Sequence, residues 1–324
     1  MITLRGVGRI ALFVTLNLAV ALPAVPQGND AKDWQAAQDQ KDQKKKAEAL
    51  EAFIKKYPTS SRRPGADTDL IDIWAKSNDN SKILSFAEEY KKAPPSPDAT
   101  AKVKIYSQAL LAAITSNNVA KAAEFGTASI EANPNHFQSL YIMAAAGLPN
   151  PEKAMEYAQR AIAAPKPDTL AQDTYNKNMA RLHGVVALPL FVQKKFADAR
   201  DHLEFVLKAD PKNQEAQYRH GFASVNLMGE AVKAAQDANT AMMKAAAAQN
   251  TAETDAAMAK QESAQKQALE LRDAALDSLA KAVAIGGPYT EQAKPLFDQL
   301  YQNKNKSLDG ADQLIAQKKS ELGL

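Results

Sequence analysis

The chain has 324 residues, of which 24% are charged and 45% are hydrophobic, and its formal net charge is +3 at pH 7. It contains no cysteine, which excludes disulfide scaffolds, thiolate zinc sites, thiol catalysis and anchoring through a lipidated cysteine. The charge is too small for a protein that attracts nucleic acid electrostatically. Alanine is the main apolar residue, and it favours helices over a β-sandwich or barrel. We therefore expect an all-α protein.

Residues 1–21 have the pattern of a cleavable export signal. Arg5 and Arg9 precede the apolar run Ile10–Leu22, which at about 1.5 Å per residue is too short for the roughly 30 Å core of a bilayer. Small residues end at Ala21, so we expect cleavage there. This interpretation makes the protein periplasmic or secreted. The alternative is an uncleaved signal that holds the chain at the membrane.

The next segments alternate between helices and turn-rich loops. The sequence predicts a polar linker over 22–32, one long helix over 31–57 and a loop over 59–67. A helix pair follows over 69–76 and 81–93, with Ser81 as the cap of its second helix, and a proline-rich break over 93–100 ends this part of the chain. Three more helix pairs are predicted over 100–117 and 118–132, over 135–148 and 151–163, and over 168–193 and 197–209.

The second helices of these pairs share one spacing. Ala122, Gly126 and Ser129 follow one another at i, i+4 and i+7, and Pro134 comes five residues later. Small residues at this spacing form a stripe on one helix face that lets a second helix approach closely. The proline then ends the helix, because it cannot donate the next backbone hydrogen bond. The same arrangement recurs in 199–211.

Upstream of these phrases lie matching first helices, such as His183-x-x-Val186-Ala187-x-x-Leu190. The combined pattern resembles the tetratricopeptide repeat (TPR) family. The resemblance covers residues 33–288, although the first-helix aromatic is usually missing and the repeat length is irregular. It implies a solenoid of helix pairs whose first helices line a concave face, and that face would bind peptides or partner segments. Residues 289–324 would form C-terminal capping helices, the last of them capped by Ser307.

One repeat is interrupted by an alanine-rich insertion at about 231–271. It has high helix propensity and no glycine or proline. We interpret it as a projecting helical hairpin with its tip near Gln249–Asp255 and with Thr251 or Thr254 as a cap. A partly disordered insert is the alternative.

Motifs for chemistry are missing from the sequence. The four histidines form no metal-binding spacing, and there is no phosphate-binding or nucleophile motif. We therefore predict no catalytic, cofactor-binding or metal-binding residues. Helical spacing instead predicts a partner-binding surface on the first helices, with plain inter-helix packing as the alternative role. Its residues are Gln138, Tyr141, Arg181, Phe191, Glu215, Tyr218 and Phe222.

These observations predict a non-enzymatic scaffold or adaptor of the TPR type in the bacterial cell envelope, with a protein or peptide as partner and no nucleic acid. One alternative is an accessory factor of an envelope assembly or export machine that docks through the alanine-rich hairpin. Another is an enzyme or small-ligand binder with a site between helices. The sequence does not indicate an oligomeric state.

Overall fold

The computed structural model describes residues 27–92 and 98–324. The predicted export signal, residues 1–21, lies outside the described residues, as do 22–26 of the predicted linker and 93–97 of the proline-rich break. The described residues contain fourteen α-helices and no strand. The helices are α1 (Gln27–Gln38), α2 (Gln43–Lys56), α3 (Arg63–Lys76), α4 (Asn80–Lys92), α5 (Ala99–Thr115), α6 (Val119–Ala132), α7 (Phe137–Ala145), α8 (Pro151–Ala163), α9 (Gln172–Val192), α10 (Phe196–Ala209), α11 (Gln214–Ala247), α12 (Thr251–Ile285), α13 (Thr290–Asn305) and α14 (Ala311–Glu321).

The chain divides into two compact units, with the boundary between Ile73 and Trp74. In the first unit, α1 and α2 pack against each other as an antiparallel pair. The ring centroids of Trp34 and Phe53 lie 5.6 Å apart across this pair.

The prediction of one long helix over 31–57 was wrong. The chain leaves the helical path between α1 and α2, and the Asp42 carboxylate caps α2 by accepting a hydrogen bond from Lys45 N at 2.9 Å. Aspartate favours this capping position because its side chain satisfies a backbone N–H at the helix start. The polar linker was also misplaced, since α1 already begins at Gln27.

Two further boundaries near the start of the chain differ from the prediction. The loop expected over 59–67 ends early, because α3 begins at Arg63 with Pro64 in its first turn, where proline is tolerated. In α4 the cap is Asp79, which accepts from Lys82 N at 3.2 Å, rather than Ser81.

The second unit is an ordered series of helix pairs. The pairs α5–α6, α7–α8, α9–α10 and α11–α12 each pack internally, and the second helix of each pair contacts the first helix of the next. The first helices α5, α7 and α9 also contact one another in order. A solenoid of this kind buries its core between neighbouring pairs rather than around one centre.

Small residues permit the close approach of these helices, as the stripe in the sequence predicts. Ala122 and Ser129 of α6 are completely buried, and a Cβ on Gly126 would collide with the Met143 side chain of α7. In the last pair, a Cβ on Gly221 of α11 would lie 2.7 Å from Leu279 Cγ of α12. The glycines and alanines are therefore packing positions, not flexible points.

Helix α9 begins at Gln172, four residues after the predicted start of this helix at 168. Its N-cap is Ala171, because the preceding prolines hold the chain in a turn in which Leu170 N donates to Pro167 O at 3.0 Å. Pro189 lies inside α9, near its end.

The alanine-rich insertion forms the predicted hairpin. Helices α11 and α12, of 34 and 35 residues, pack along each other and are joined by a short turn at 248–250. The cap of α12 is Asn250, which accepts from Glu253 N at 3.2 Å, rather than Thr251 or Thr254. Gln249 turns the chain in the left-handed conformation, with φ of 54°.

The C-terminal helices pack on α12, as predicted for capping helices. Phe297 of α13 is fully buried in a core with Leu276 and Leu279 of α12. The last helix begins after Gly310, which has φ of 88°, so Ser307 is not its cap. Ser307 Oγ accepts instead from Asp309 N at 3.0 Å, within the preceding turn.

Candidate partner-binding site

Five half-buried aromatic side chains form a continuous group across three helix pairs, which we call the aromatic row. Its members are Phe191, Phe196, Tyr218, Phe222 and Tyr289. The rings of Phe191, Phe196 and Phe222 lie 5.5 to 5.9 Å apart, centroid to centroid. Tyr218 lies 6.1 Å from Phe222 and stacks on Tyr289 at 5.3 Å. Aromatic pairs at these distances stabilise one another while leaving part of each ring open to solvent.

Local structure brings the row together from distant parts of the sequence. Phe191 lies in the last turn of α9 and Phe196 is the first residue of α10, and the turn between the two helices passes through Lys194 with φ of 60°. Tyr218 and Phe222 lie one helical turn apart on α11 and so share a face. Tyr289 precedes α13, and its backbone N–H donates to Gln214 Oε1 at 3.3 Å.

Charged groups flank the row. Arg219 Nη2 lies 2.5 Å from Glu215 Oε1, and the guanidinium carbon lies 5.5 Å from the centre of the Phe191 ring. An arginine held over an aromatic face is attracted by the ring's quadrupole. Burial raises the pKa of Tyr218, so its hydroxyl group remains protonated near neutral pH and can donate a hydrogen bond to a ligand.

Four of the seven predicted site residues belong to this region: Phe191, Glu215, Tyr218 and Phe222. Sequence reasoning missed Phe196, Tyr289 and Arg219. The i, i+4 spacing of Glu215 and Arg219 on one helix was a usable signal for their ion pair. Tyr289 gave no comparable signal, since it reaches Tyr218 only after the hairpin has returned the chain.

The other three predicted residues lie elsewhere in the array. Tyr141 of α7 stacks parallel to Phe137, with 6.3 Å between ring centroids. Arg181 Nη2 donates to Ala145 O at 3.4 Å, at the last turn of α7. This contact gives Arg181 a role in capping that helix.

Gln138 is exposed and lines a groove of about 540 Å³ between α5 and the start of α7. His136 also lines the groove, and its Nδ1 lies 2.9 Å from Ser139 Oγ, which lies 2.8 Å from Ser129 Oγ. Ser129 donates to Val103 O at 3.4 Å. Each hydroxyl has one proton, so Ser139 must donate to Ser129 and accept from His136. This assigns the Nδ1–H tautomer to His136, and its Nε2 is left as an acceptor.

The remaining histidines have partners within the helix packing. His183 Nδ1 lies 2.8 Å from His202 Nδ1, and His220 Nδ1 lies 2.8 Å from Ser278 Oγ. Among residues 27–92 and 98–324, no group of three or more histidine, aspartate or glutamate side chains is placed to hold a metal ion. None of the helices in these ranges has the length and apolar character needed to cross a membrane.

The fold is decided by antiparallel helix pairs in series, in which the first helices α5, α7 and α9 are in contact and glycines lie at two of the close approaches. It is a TPR-like array. The prediction from the sequence is confirmed at this level. The aromatic row lies on the first helices α9 and α11, the start of the second helix α10 and the turn before α13.

Solved structures that are similar to this chain are TPR proteins of low sequence identity. No family model matches the chain, and no curated protein sequence matches it. The TPR-like array is similar to the crystal structure of YrrB, a TPR protein with an unusual peptide-binding site, with a TM-score of 0.44, 16% identity, and coverage of 77% of this chain and 99% of that chain. A tetratricopeptide repeat protein from Parabacteroides merdae has a TM-score of 0.39, with 15% identity and coverage of 85% and 98%. A TPR protein from Bacteroides fragilis has a TM-score of 0.34, with 16% identity and coverage of 74% and 97%.

Proposed function

We propose that this chain is a non-enzymatic scaffold that binds an extended segment of a partner protein along the aromatic row. The observation that carries the proposal is the row itself: five aromatic rings in contact and each partly open to solvent. Tyrosine, phenylalanine and arginine supply large rigid contact surfaces and are typical of the residues that dominate binding energy at protein interfaces.

The chemistry of the row indicates the kind of segment it would accept. Apolar side chains of the partner would pack on Phe196, Phe191 and Phe222, and the Tyr218 hydroxyl group would bond a backbone carbonyl. Because Glu215 and Arg219 neutralise each other, the row does not require a strongly charged ligand. We expect a segment with two or more apolar anchors and little net charge.

We place this activity in the bacterial cell envelope. The support for this location is the pattern of residues 1–21, in which basic residues, a short apolar run and a small-residue cleavage signal follow one another. Cell fractionation of the tagged chain, with N-terminal sequencing of the mature form, tests the location independently of binding.

The binding proposal is tested with displayed random peptides selected on the whole chain. We expect selected peptides to share apolar anchors, and Tyr218→Ala together with Phe222→Ala to weaken their binding by at least about tenfold. The matched control is Phe205→Ala, since Phe205 is an exposed phenylalanine of α10 outside the row. Helical circular dichroism confirms folding of each variant. Equal binding by the double variant and the parent chain would refute the row as the site.

A further inference from the structure

The projecting part of the hairpin, residues 229–270, exposes four large apolar side chains; we call this segment the arm. The exposed fractions are 41% for Val232, 62% for Met243, 45% for Met258 and 52% for Leu269. The structure describes every residue of the arm. Exposure of this much apolar surface on so short a segment is the kind of feature that marks an interaction site.

All four side chains lie on one face of the arm. On α11, positions 232, 236, 239 and 243 follow the i, i+4, i+7, i+11 spacing of a single helical stripe, and on α12 positions 258, 262, 265 and 269 do the same. A groove of about 440 Å³ runs between the two stripes and is lined from both helices. We call this surface the arm face. Its residues are Val232, Gln236, Asn239, Met243, Met258, Glu262, Gln265 and Leu269.

The pattern on the arm face is symmetric along its length. Val232 and Leu269 stand at the base of the arm, and Met243 and Met258 stand near its tip. Between them lie three amides and one carboxylate, with no lysine or arginine on these eight positions. Apart from Glu262, most charges of the arm lie on other faces, as in the Lys233–Asp237 pair, whose Nζ and Oδ2 atoms are 2.6 Å apart.

The arm face continues a surface of α11 and α12 that is covered by α13 and α14 at the base of the hairpin. Val225 and Met228 of α11 and Val283 of α12 pack against the core that includes Phe297 of α13 and Ala311 of α14. Successive positions of the same stripe, beginning with Val232, extend beyond these capping helices, and Val232 and Met243 among them are exposed. A further pair of helices in the same layer would continue the interface that α13 and α14 begin.

We propose that a second copy of this chain covers the arm face, with the two arms antiparallel. A two-fold axis across the middle of the arm places Val232 and Leu269 of one copy against Met243 and Met258 of the other. The same axis sets Gln265 opposite Glu262 of the other copy, where the amide can donate to the carboxylate. Apolar groups thus meet apolar groups and polar groups meet polar partners, as an isologous interface requires.

The capping helices select the antiparallel arrangement. If the two arms ran parallel, the α13–α14 layers of both copies would occupy the same space beside the arm bases. In the antiparallel arrangement, the two arrays are held at opposite ends, and only the turn at the tip of each arm, near Gln249, reaches the edge of the other copy's α13–α14 layer.

The size of the arm face predicts a weak, reversible dimer. About 20 residues per helix give a length of about 30 Å, and two adjacent helices give a width of about 20 Å, hence about 600 Å² from each copy. The total of about 1,200 Å² is at the lower limit of stable protein interfaces. Association should therefore depend on concentration in the micromolar range.

The first test is sedimentation velocity of the whole chain over a range of concentrations. We expect a monomer–dimer equilibrium that Met243→Glu weakens by at least about tenfold, because it places a carboxylate in the apolar end of the interface. The matched control is Ala241→Glu, which adds the same charge to an exposed position on a different face of the same helix and should leave association unchanged. A chain that stays monomeric at all concentrations, or equal weakening by both variants, would overturn the proposal.

The second test determines the arrangement and does not depend on destabilising the arm. Because the chain has no cysteine, each introduced thiol is the only one present. A mixture of Val232→Cys and Met243→Cys chains should form a mixed disulfide dimer under mild oxidation. Crosslinking instead between Met243→Cys and Met258→Cys chains would show parallel arms and contradict the proposal, as would the lack of any crosslink above that of a Lys233→Cys control.

Discussion

Gly221 of α11 faces Leu279 of α12 at a distance that leaves no room for a side chain, since a Cβ there would lie 2.7 Å from Leu279 Cγ. Leu279 is itself fully buried and joins the core that α13 and α14 cover. The Gly221–Leu279 contact therefore sets the distance between α11 and α12 and also positions a residue on which α13 and α14 pack. Its glycine is required by close approach, not by an unusual backbone conformation.

Gly221→Ala should destabilise the chain. Alanine favours a helix over glycine by about 1 kcal/mol, but forcing a methyl group into a packed interface costs about 1–3 kcal/mol, so we expect a net loss of up to about 2 kcal/mol. The control is Gly229→Ala on the same helix, where no atom lies within 4 Å of the added Cβ; this variant should gain up to about 1 kcal/mol. Urea unfolding followed by circular dichroism measures both. Stabilisation by Gly221→Ala would mean that the two helices can separate freely at this point.

Gln214→Ala should loosen the junction of α11, α12 and α13. Gln214 is buried, and its Nε2 donates to Ala282 O and to Thr290 Oγ1, each at 3.1 Å, while its Oε1 accepts from Tyr289 N. Loss of these bonds leaves buried polar groups without partners, so we expect about 2–3 kcal/mol of destabilisation. Gln299→Ala, at an exposed position of α13, should change stability by less than about 0.5 kcal/mol. Because Gln214 positions Tyr289, the variant should also weaken peptide binding to the aromatic row; unchanged stability would contradict the role given to these bonds.

Much of this architecture could be predicted because it depends on local rules. The stripe of small residues from Ala122 and the proline that follows it specify a second helix and its end without reference to the rest of the molecule. The alanine-rich hairpin was predictable for the same reason, since helix propensity summed over a long segment is informative. Helix starts were less predictable. The observed caps are Asp42, Asp79 and Asn250. Polar residues next to each of them have a similar intrinsic preference for the N-cap position, so the sequence does not single out one cap.

The site was predictable only in part, because helical spacing identifies a face but not which faces meet. Tyr218 and Phe222 could be placed together from their spacing on α11. Arg181 had the same kind of position on α9, yet its guanidinium bonds a carbonyl of α7, a contact set by how two pairs stack. Tyr289 stacks on Tyr218 only because the α11–α12 hairpin brings the chain back to the base of α11. Contacts of this kind depend on tertiary geometry, which a single sequence does not contain.

Stability should decrease as the pH falls from 7 to 5, with His183 as a main contributor. Burial, helped by the nearby His202 ring, lowers the pKa of His183 from 6.5 to about 4. A histidine with a lowered pKa binds protons more readily in the unfolded chain, so its stabilising contribution is complete above about pH 6.5 and is lost as the pH falls towards 4. The full pKa shift of His183 corresponds to a loss of about 2 kcal/mol in the free energy of unfolding between pH 7 and 5. Phe205, which stacks on the His183 ring, is half exposed, and the nearby solvent should reduce this loss to roughly 1–2 kcal/mol.

Unfolding by urea at pH 7 and pH 5 measures the effect. His183→Phe keeps a ring stacked against Phe205 and removes the titrating group, so its loss of stability between the two pH values should be smaller than that of the parent chain. Burial also lowers the pKa values of His136, His202 and His220, so some dependence will remain. An identical loss in the variant and the parent chain would show that His183 does not govern the response.

The serine pair between α6 and α7 should behave as one unit. Ser129 and Ser139 are completely buried, and their hydroxyl groups connect Val103 O to His136 through a chain of hydrogen bonds. Ser139→Ala removes the middle of this chain and leaves partners on both sides unsatisfied, so we expect a loss of about 1–3 kcal/mol. In a chain that carries Ser139→Ala, the Ser129 hydroxyl group has already lost the hydrogen bond that Ser139 donated to it. The double variant should therefore be destabilised by about 1 kcal/mol less than the sum of the two single variants. A double-mutant cycle measured by urea unfolding checks this, and strict additivity would mean that the two hydroxyl groups act independently.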